Sequence, residues 1–457
     1  MPGIDSVIEN NLCVGCGACA FAYPDQFEIT ESERGTLEAV RRSGASSANT
    51  AASVICPMSG EGKTEDDFSE LLYPALPADP EIGRYAGTFA GHVNSESQRM
   101  AGGSGGIVTW ILAQLLREQM VDAVIHVRPS DHRSGRLFTY QISRSVSEIE
   151  AGSKSRYYPT SMDRVLNSIE KSGERFAIVG VPCFVKAIRM LVSEGRLKSS
   201  SVPYAVGLVC GHLKSKFFAE YLAWQKGIAP GSLTAFDFRH KLMDRAASDY
   251  GFLTVTGEGA AASSSAFPMA SVRGRDWGEG LFKLKGCEFC DDVIAECADI
   301  AIGDAWLPEF VSDPKGTNVV VARHPDLLRL LEQGRASQEL SLTSISVGDV
   351  AKSQSSGLRH RREGLRHRLA RLKDAGEWWP RKRVEPALAV TSRRRSVYDI
   401  RYKIACESNN VFAKARLTSS LIFFERTMSP LIRKLKVKTY GGIFTRAVRR
   451  IRHIISA

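Results

Sequence analysis

Three cysteines at equal spacing, Cys13-Val-Gly-Cys16-Gly-Ala-Cys19, restrict this chain more than any other feature. A C-x2-C-x2-C run with glycines in its turns aims three thiolates at one centre. Ferredoxin-type clusters use such runs, and their fourth ligand comes from a distant Cys-Pro. Cys56-Pro57 supplies that dipeptide, and there is no second complete run. The sequence therefore points to one 4Fe–4S cluster held by Cys13, Cys16, Cys19 and Cys56. Zinc also takes thiolate ligands, but equal spacing with a remote Cys-Pro fits the cubane better.

The chain has ten cysteines. Cys287-Glu-Phe-Cys290 alone is ambiguous between zinc, a redox dithiol and a cluster. Cys183 and Cys210 each follow a buried-strand signal and precede a helical one, which places both at the carboxyl edge of a parallel sheet, where ligands bind. With Cys287 and Cys290 they make four ligands for a second cluster. The alternative is that Cys183 and Cys210 are small buried hydrophobes. Cys297 could replace one of the four, and Cys406 is expected to be structural.

With 457 residues the chain predicts two or three domains. We read four segments: 1–76, a ferredoxin-like 4Fe–4S module; 81–175, the first part of an α/β body with a Gly-rich loop; 176–345, its second part with the distal cysteines; and 346–457, a basic, mainly helical extension. Tyr85–Val93, Ala123–Val127, Phe176–Val181, Tyr204–Val209, Ala298–Gly303 and Val319–Ala322 read as strands. Helical patterns cover Ile107–Gln119, Phe184–Val192 and the stretch near Ser215–Gln225. The alternation predicts an α/β fold with a mixed or parallel sheet. Ala260–Ala266 reads as a loop.

Gly102-Gly-Ser-Gly-Gly106 leads into an apolar helix. Exposed N–H groups at a helix start attract phosphate, and glycine permits close approach, so Ser104, Gly105 and Gly106 are candidate cofactor contacts; a flexible turn is the competing account. Lys154 lies among hydroxyls in Ser153-Lys-Ser-Arg-Tyr-Tyr, and Arg239 and Lys241 flank His240. Both sets suit a pyrophosphate or flavin site, or a solvated basic surface. Asp299 and Asp304 bracket a strand, one to orient a cofactor or both as caps. His212, after Cys210-Gly, is the candidate proton donor, with a hydrogen-bonded structural histidine as the alternative.

Taken together, these pieces resemble the beta-subunit family of coenzyme F(420) hydrogenase/dehydrogenase over about residues 10–330. The resemblance rests on the cysteine run, Gly103-Ser-Gly-Gly106, Gly180-Val-Pro-Cys183, Leu208-Val-Cys-Gly-His212, and Cys287-Glu-Phe-Cys-Asp-Asp292 continuing through Ala298–Asp304. It implies a flavin-binding body with FAD, one or two 4Fe–4S clusters, and hydride or electron exchange with an organic substrate or the deazaflavin coenzyme. It also implies a redox partner protein such as a ferredoxin. Cys297 stands where the family usually has an apolar residue, and the basic extension is not a core family feature.

Charge is unevenly spread. Residues 351–457 carry 27 Lys and Arg against 7 Asp and Glu, whereas the rest carries 34 against 43. Basic and apolar residues alternate at near-helical spacing in Leu431–Tyr440 and Ile443–Ile455, which suits an anionic membrane surface; a helical extension packed on the body is the alternative. No recognised nucleic-acid fold is present, so nucleic acid is disfavoured. No stretch reaches the ~18 apolar residues of a membrane span, and the N-terminus lacks a signal-peptide pattern. The expectation is a cytoplasmic protein, with a peripheral place at the inner membrane face open to it, carrying thiols or metal ligands rather than disulfides. Three functions compete: an iron–sulfur flavoprotein oxidoreductase, a non-enzymatic electron-transfer subunit of a redox or polysaccharide-biosynthesis complex, and a zinc-stabilised scaffold. Cys56-Pro57 argues against the third.

Overall fold

The computed structural model describes residues 3–44, 51–131, 135–388 and 390–441. Its centre is an eight-stranded sheet. In spatial order the strands are Leu340–Ser344, Gly87–Val93, Asn318–Ala322, Ile300–Asp304, Tyr204–Leu208, Phe176–Gly180, Ala123–Pro129 and Phe138–Ser143. The four from Ile300–Asp304 to Ala123–Pro129 run parallel to one another. Both flanks are antiparallel. The fold is thus α/β with a mixed sheet.

The central strands carry apolar side chains on both faces because both faces are covered. Ile125, Ile178, Ala205 and Ala301 enter one buried layer with helix Pro182–Ser193. Val124, Ala177, Val206 and Ile300 enter the opposite layer with helices Ile107–Arg117 and Pro325–Ala336. This alternation is the period of two expected of a strand. Pro182 stands in the first turn of its helix, where its missing N–H is not needed.

A second sheet of three antiparallel strands, Leu233–His240, Gly251–Thr256 and Ser263–Pro268, packs with a helical hairpin, Ser392–Leu417 and Leu421–Tyr440, around Phe218, Phe238, Phe282, Phe412 and Phe424. Ser263–Pro268 overlaps the stretch read as a loop. It pairs as an exposed edge strand, held by backbone bonds that leave no apolar pattern in the sequence.

Near the N-terminus, Phe27–Glu31 and Leu37–Arg41 form a hairpin beside the cysteine run. The layer that holds Ile125 and Ile178 also holds Leu12, Val14 and Cys16 from the N-terminal segment and Leu358, Leu365 and Leu369 from the extension. Among the described residues no helix is long and apolar enough to cross a membrane. Two of the extension's arginines, Arg361 and Arg368, turn inward and are buried, as are His360 and His367. The basic stretch Ile443–Ile455 lies outside the described residues.

Candidate functional site

Cys13, Cys16, Cys19 and Cys56 line one cavity with Ile4, Val7, Ile29, Ala39 and Met58. Two glycines make the loop possible. Gly15 and Gly17 have φ of 71° and 88°. A Cβ on Gly15 would stand 2.6 Å from the Leu37 carbonyl oxygen, and one on Gly17 would stand 2.5 Å from Ser161 Oγ. The hairpin adds a backbone donor: Ala39 N–H reaches Cys13 Sγ at 3.3 Å, and Gly15 N–H reaches it at 3.4 Å. Burial raises the thiol pKa of all four, and Cys16 and Cys19 are raised further by their cysteine neighbours.

A second group forms at the carboxyl ends of the parallel strands. Cys183 opens the helix after Phe176–Gly180, Cys210 follows Tyr204–Leu208, and Cys287 and Cys290 come from a tight turn at Lys285–Phe289. Cys183 feels Cys290, Cys287 and Cys210 electrostatically, so four thiols from three distant segments share one neighbourhood. Leu213 N–H donates to Cys287 Sγ at 3.3 Å, and Arg361 Nη1 donates to Cys290 Sγ at 3.3 Å. The two groups adjoin. Cys183 also feels Cys16, and a Cβ on Gly286 would stand 2.3 Å from the Leu12 carbonyl oxygen. Among the described residues no three His, Cys, Asp or Glu side chains meet in the geometry of a single ion. In a cubane each thiolate binds a different iron, so its ligands surround a space rather than a point. Cys297 is fully buried beside Lys186 and Glu65. Cys406 is half-buried in helix Ser392–Leu417, on a cleft it shares with Cys13.

The Gly-rich loop lies at the same sheet edge. Gly106 has φ 86° and begins helix Ile107–Arg117. That helix is capped from another strand, by Asn318 Oδ1 accepting from Ile107 N–H at 3.1 Å. A Cβ on Gly105 would stand 2.7 Å from the Gly91 carbonyl oxygen, and one on Gly103 would stand 2.8 Å from Ser155 Oγ. The second sheet brings cations over this loop. Arg239 donates to the Gly103 carbonyl at 3.2 Å and to Asp304 at 2.9 Å. Lys241 donates to the Ser104 carbonyl at 2.8 Å and to that of Arg99. Lys154, with φ 113°, pairs with Asp237 at 3.3 Å and donates to the Arg239 carbonyl. Ser104, Gly105, Gly106, Lys154, Arg239, Lys241 and Asp304 therefore stand together. Burial and the cations Lys154, Arg99 and Arg239 pull the Lys241 ammonium down to about 7. Arg156 lies over the Phe138 ring at 4.9 Å, with Nε and Nη1 lacking hydrogen-bond partners, and burial lowers it to about 10.

The two aspartates have different surroundings. Asp299 accepts from Arg189 at 2.6 Å, from Ala205 N–H at 2.6 Å and from Tyr73, which makes it a structural anchor. Asp304 faces Arg239 over the loop. His212 is buried with Nε2 unpartnered, and burial together with Lys214 and Lys283 holds its imidazole neutral. Its ring stands 4.6 Å from Trp277, whose ring stands 4.6 Å from Tyr157, and Tyr157 in turn faces Arg239 and Asp304. An aromatic path thus links the second cysteine group to the Gly loop.

Residues that sequence reasoning passed over come from the extension. Arg361 meets Cys290, the Gly211 carbonyl at 2.6 Å and the Asp292 carbonyl. Arg383 meets Glu296 at 2.8 Å and Asp66 at 2.7 Å. The signal that could have found them is an excess of arginine in a segment with few carboxylates of its own.

Two family models match the chain, both for the beta subunit of coenzyme F(420) hydrogenase/dehydrogenase. Residues 88–167 match the model of its N-terminal part, and residues 173–347 match the model of its C-terminal part. The cysteine run and the extension lie outside these ranges. The chain is 22% identical over 337 residues to the coenzyme F(420)-dependent sulfite reductase of Methanocaldococcus jannaschii, covering 70% of this chain and 45% of that protein. It thus spans less than half the length of that relative. Its fold is similar to a chain in a structure of the F(420)-reducing nickel–iron hydrogenase complex from Methanosarcina barkeri, with TM-score 0.50, 16% identity, and 67% of this chain and 99% of that chain covered.

Proposed function

The chain belongs to the beta-subunit family of coenzyme F(420) hydrogenase/dehydrogenase, and on that premise we propose that it is an iron–sulfur flavoprotein oxidoreductase exchanging electrons with an organic substrate or the deazaflavin coenzyme. The observation that carries this reading is the convergence of two four-cysteine groups and one cation-lined glycine loop on the same side of the molecule.

The donor set suits the groups. Burial raises the thiol pKa of Cys13, Cys16, Cys19, Cys56, Cys183, Cys210 and Cys287, and coordination to iron would relieve this, since metal deprotonates a bound thiol. Backbone N–H donors to Cys13 and Cys287 are the kind that tune a cluster. The glycine loop offers close backbone approach to a phosphate. FAD there would supply two-electron hydride chemistry, and 4Fe–4S clusters would supply single-electron steps. The chain's own residues do the positioning. Ser104, Gly105 and Gly106 would hold the pyrophosphate, with Lys154, Arg239 and Lys241 balancing its charge. Asp304 fixes the Arg239 fork, and Trp277 and Tyr157 stand between His212 and Arg239.

A second reading also has an observation behind it. The chain spans 45% of its sulfite reductase relative, as an electron-transfer part of a larger assembly would. Such a subunit has no turnover alone, and its partner would be a redox protein. Anaerobic purification with iron, sulfide and flavin quantified on one sample separates the two. About eight irons and one FAD per chain support the oxidoreductase. Iron without flavin moves the assignment to an electron-transfer subunit, and a colourless protein overturns both.

A further inference from the structure

Arg361 belongs to the extension, beyond the residues that the family models match. It ends the short helix Ser355–Arg361 and is 2% exposed. Its guanidinium spans the pieces of chain around the second cysteine group. Nη2 donates to the Gly211 carbonyl at 2.6 Å, one residue past Cys210. Nη1 donates to the Asp292 carbonyl, two residues past Cys290, and to Cys290 Sγ itself at 3.3 Å. A lysine could not do all three, because only the planar fork presents several donors in fixed directions.

Two of these contacts are to backbone oxygens, which is what a structural pin would do. The third is different, because a buried cation donating to a thiolate sulfur acts on the charge of whatever that sulfur holds. Reduction adds a negative charge to a cluster, and a cation donating to a ligand sulfur stabilises that charge, so the cluster is easier to reduce. Lys283 also acts electrostatically on Cys287, but among the described residues it makes no donor contact to a sulfur of the group. Lys283 is engaged with Glu288 at 2.8 Å, and Arg368 and His360 stand at 3.2 Å from the same carboxylate. Arg361 is the cation that donates directly to the Cys290 sulfur.

We propose that Arg361, contributed by the C-terminal extension, is a positioning residue that raises the reduction potential of the second cluster through Cys290 and so sets the direction of electron flow between the two cysteine groups. This rests on the iron–sulfur reading above. The extension is then part of the redox machinery, supplying a charge that the sequence matched by the family models does not contain.

The test is an anaerobic redox titration of the full-length protein, followed by electron paramagnetic resonance and visible absorbance, for wild type, Arg361→Met and Arg361→Lys. Iron and sulfide are measured on each sample. The expected result is an unchanged iron content, a second-cluster signal that titrates at a more negative potential in Arg361→Met, partial return in Arg361→Lys, and an unmoved first-cluster signal. Unchanged potentials with full iron would overturn the proposal and leave Arg361 as a pin. Loss of iron from both variants would overturn it too, since retained charge in Arg361→Lys would then not have mattered. Wild-type protein with about four irons would instead sink the second cluster itself, an outcome distinct from either.

Discussion

Lys241 donates to the carbonyl oxygens of Ser104 and Arg99 while facing the cations Lys154, Arg99 and Arg239, with Asp304 the opposing charge. Its pKa of about 7 lies far below the ~10.4 of a free lysine, so the charged form is disfavoured in the fold. The sign follows: the penalty is full below pH 7, and the stability of the cofactor-free protein rises as the pH climbs from 7 toward 10. Binding a phosphate restores the proton. Flavin affinity should therefore fall as pH rises through 7, by at most about tenfold per unit for one proton. Flavin fluorescence titrations between pH 6 and 8.5 would measure this, and Lys241→Met should bind more weakly with a flat profile. A sloping profile in Lys241→Met would assign the proton elsewhere. At this scale the grouping of Cys13, Cys16, Cys19 and Cys56, and of Cys183, Cys210, Cys287 and Cys290, was legible from short fixed spacings and from places just after strand ends. Arg361 and Arg383 were not, because their partners lie 71 and 87 residues away and leave no periodic mark.

The elements that place the glycine loop depend on a cap that crosses the sheet. Gly106 has no side chain, so Asn318 of the neighbouring strand accepts from Ile107 N–H and donates to the Gly303 carbonyl at 3.0 Å. Asn318→Ala removes both bonds and leaves buried backbone groups without partners. It should cost about 1–3 kcal/mol in urea unfolding. It should also weaken flavin binding, because the helix start no longer holds Gly105 against Gly91. Unchanged stability would mean that water caps the helix as well as Asn318 does. The parallel strands and their helices could be read from continuous apolar runs alternating with amphipathic ones. The antiparallel flanks could not be, since a strand buried on two faces reads alike in either direction. The edge strand Ser263–Pro268 has apolar residues only toward its end, so its backbone pairing is what defines it.

For the molecule as a whole, the basic extension closes the body more than it decorates it. Arg383 forks onto Glu296 with both nitrogens at 2.8 Å, reaches Asp66 at 2.7 Å, and gives its own N–H to Asp291 at 3.1 Å. Glu296 is 3% exposed, and Glu65 beside it pairs with Lys186 at 3.0 Å. Net charge by segment suggests an anionic surface as the partner of these residues. Arg361 and Arg383 instead find their partners in the body of the same chain. Removing one member of a buried ion pair costs about 3–5 kcal/mol, because the other charge is left uncompensated. Arg383→Ala should lower unfolding stability by about that amount, and Arg383→Lys should recover part of it. Cutting the chain after residue 345 removes Arg361, Arg368, His360 and Arg383 together and exposes the apolar layer that Leu358, Leu365 and Leu369 cover. Such a fragment should fail to melt cooperatively and should lose iron on reconstitution. If it melted like the full chain, the extension would be a separable domain and its arginines would be contacts of convenience. If Arg383→Ala alone were neutral while the truncation unfolded, apolar closure rather than charge would be what binds the extension to the body.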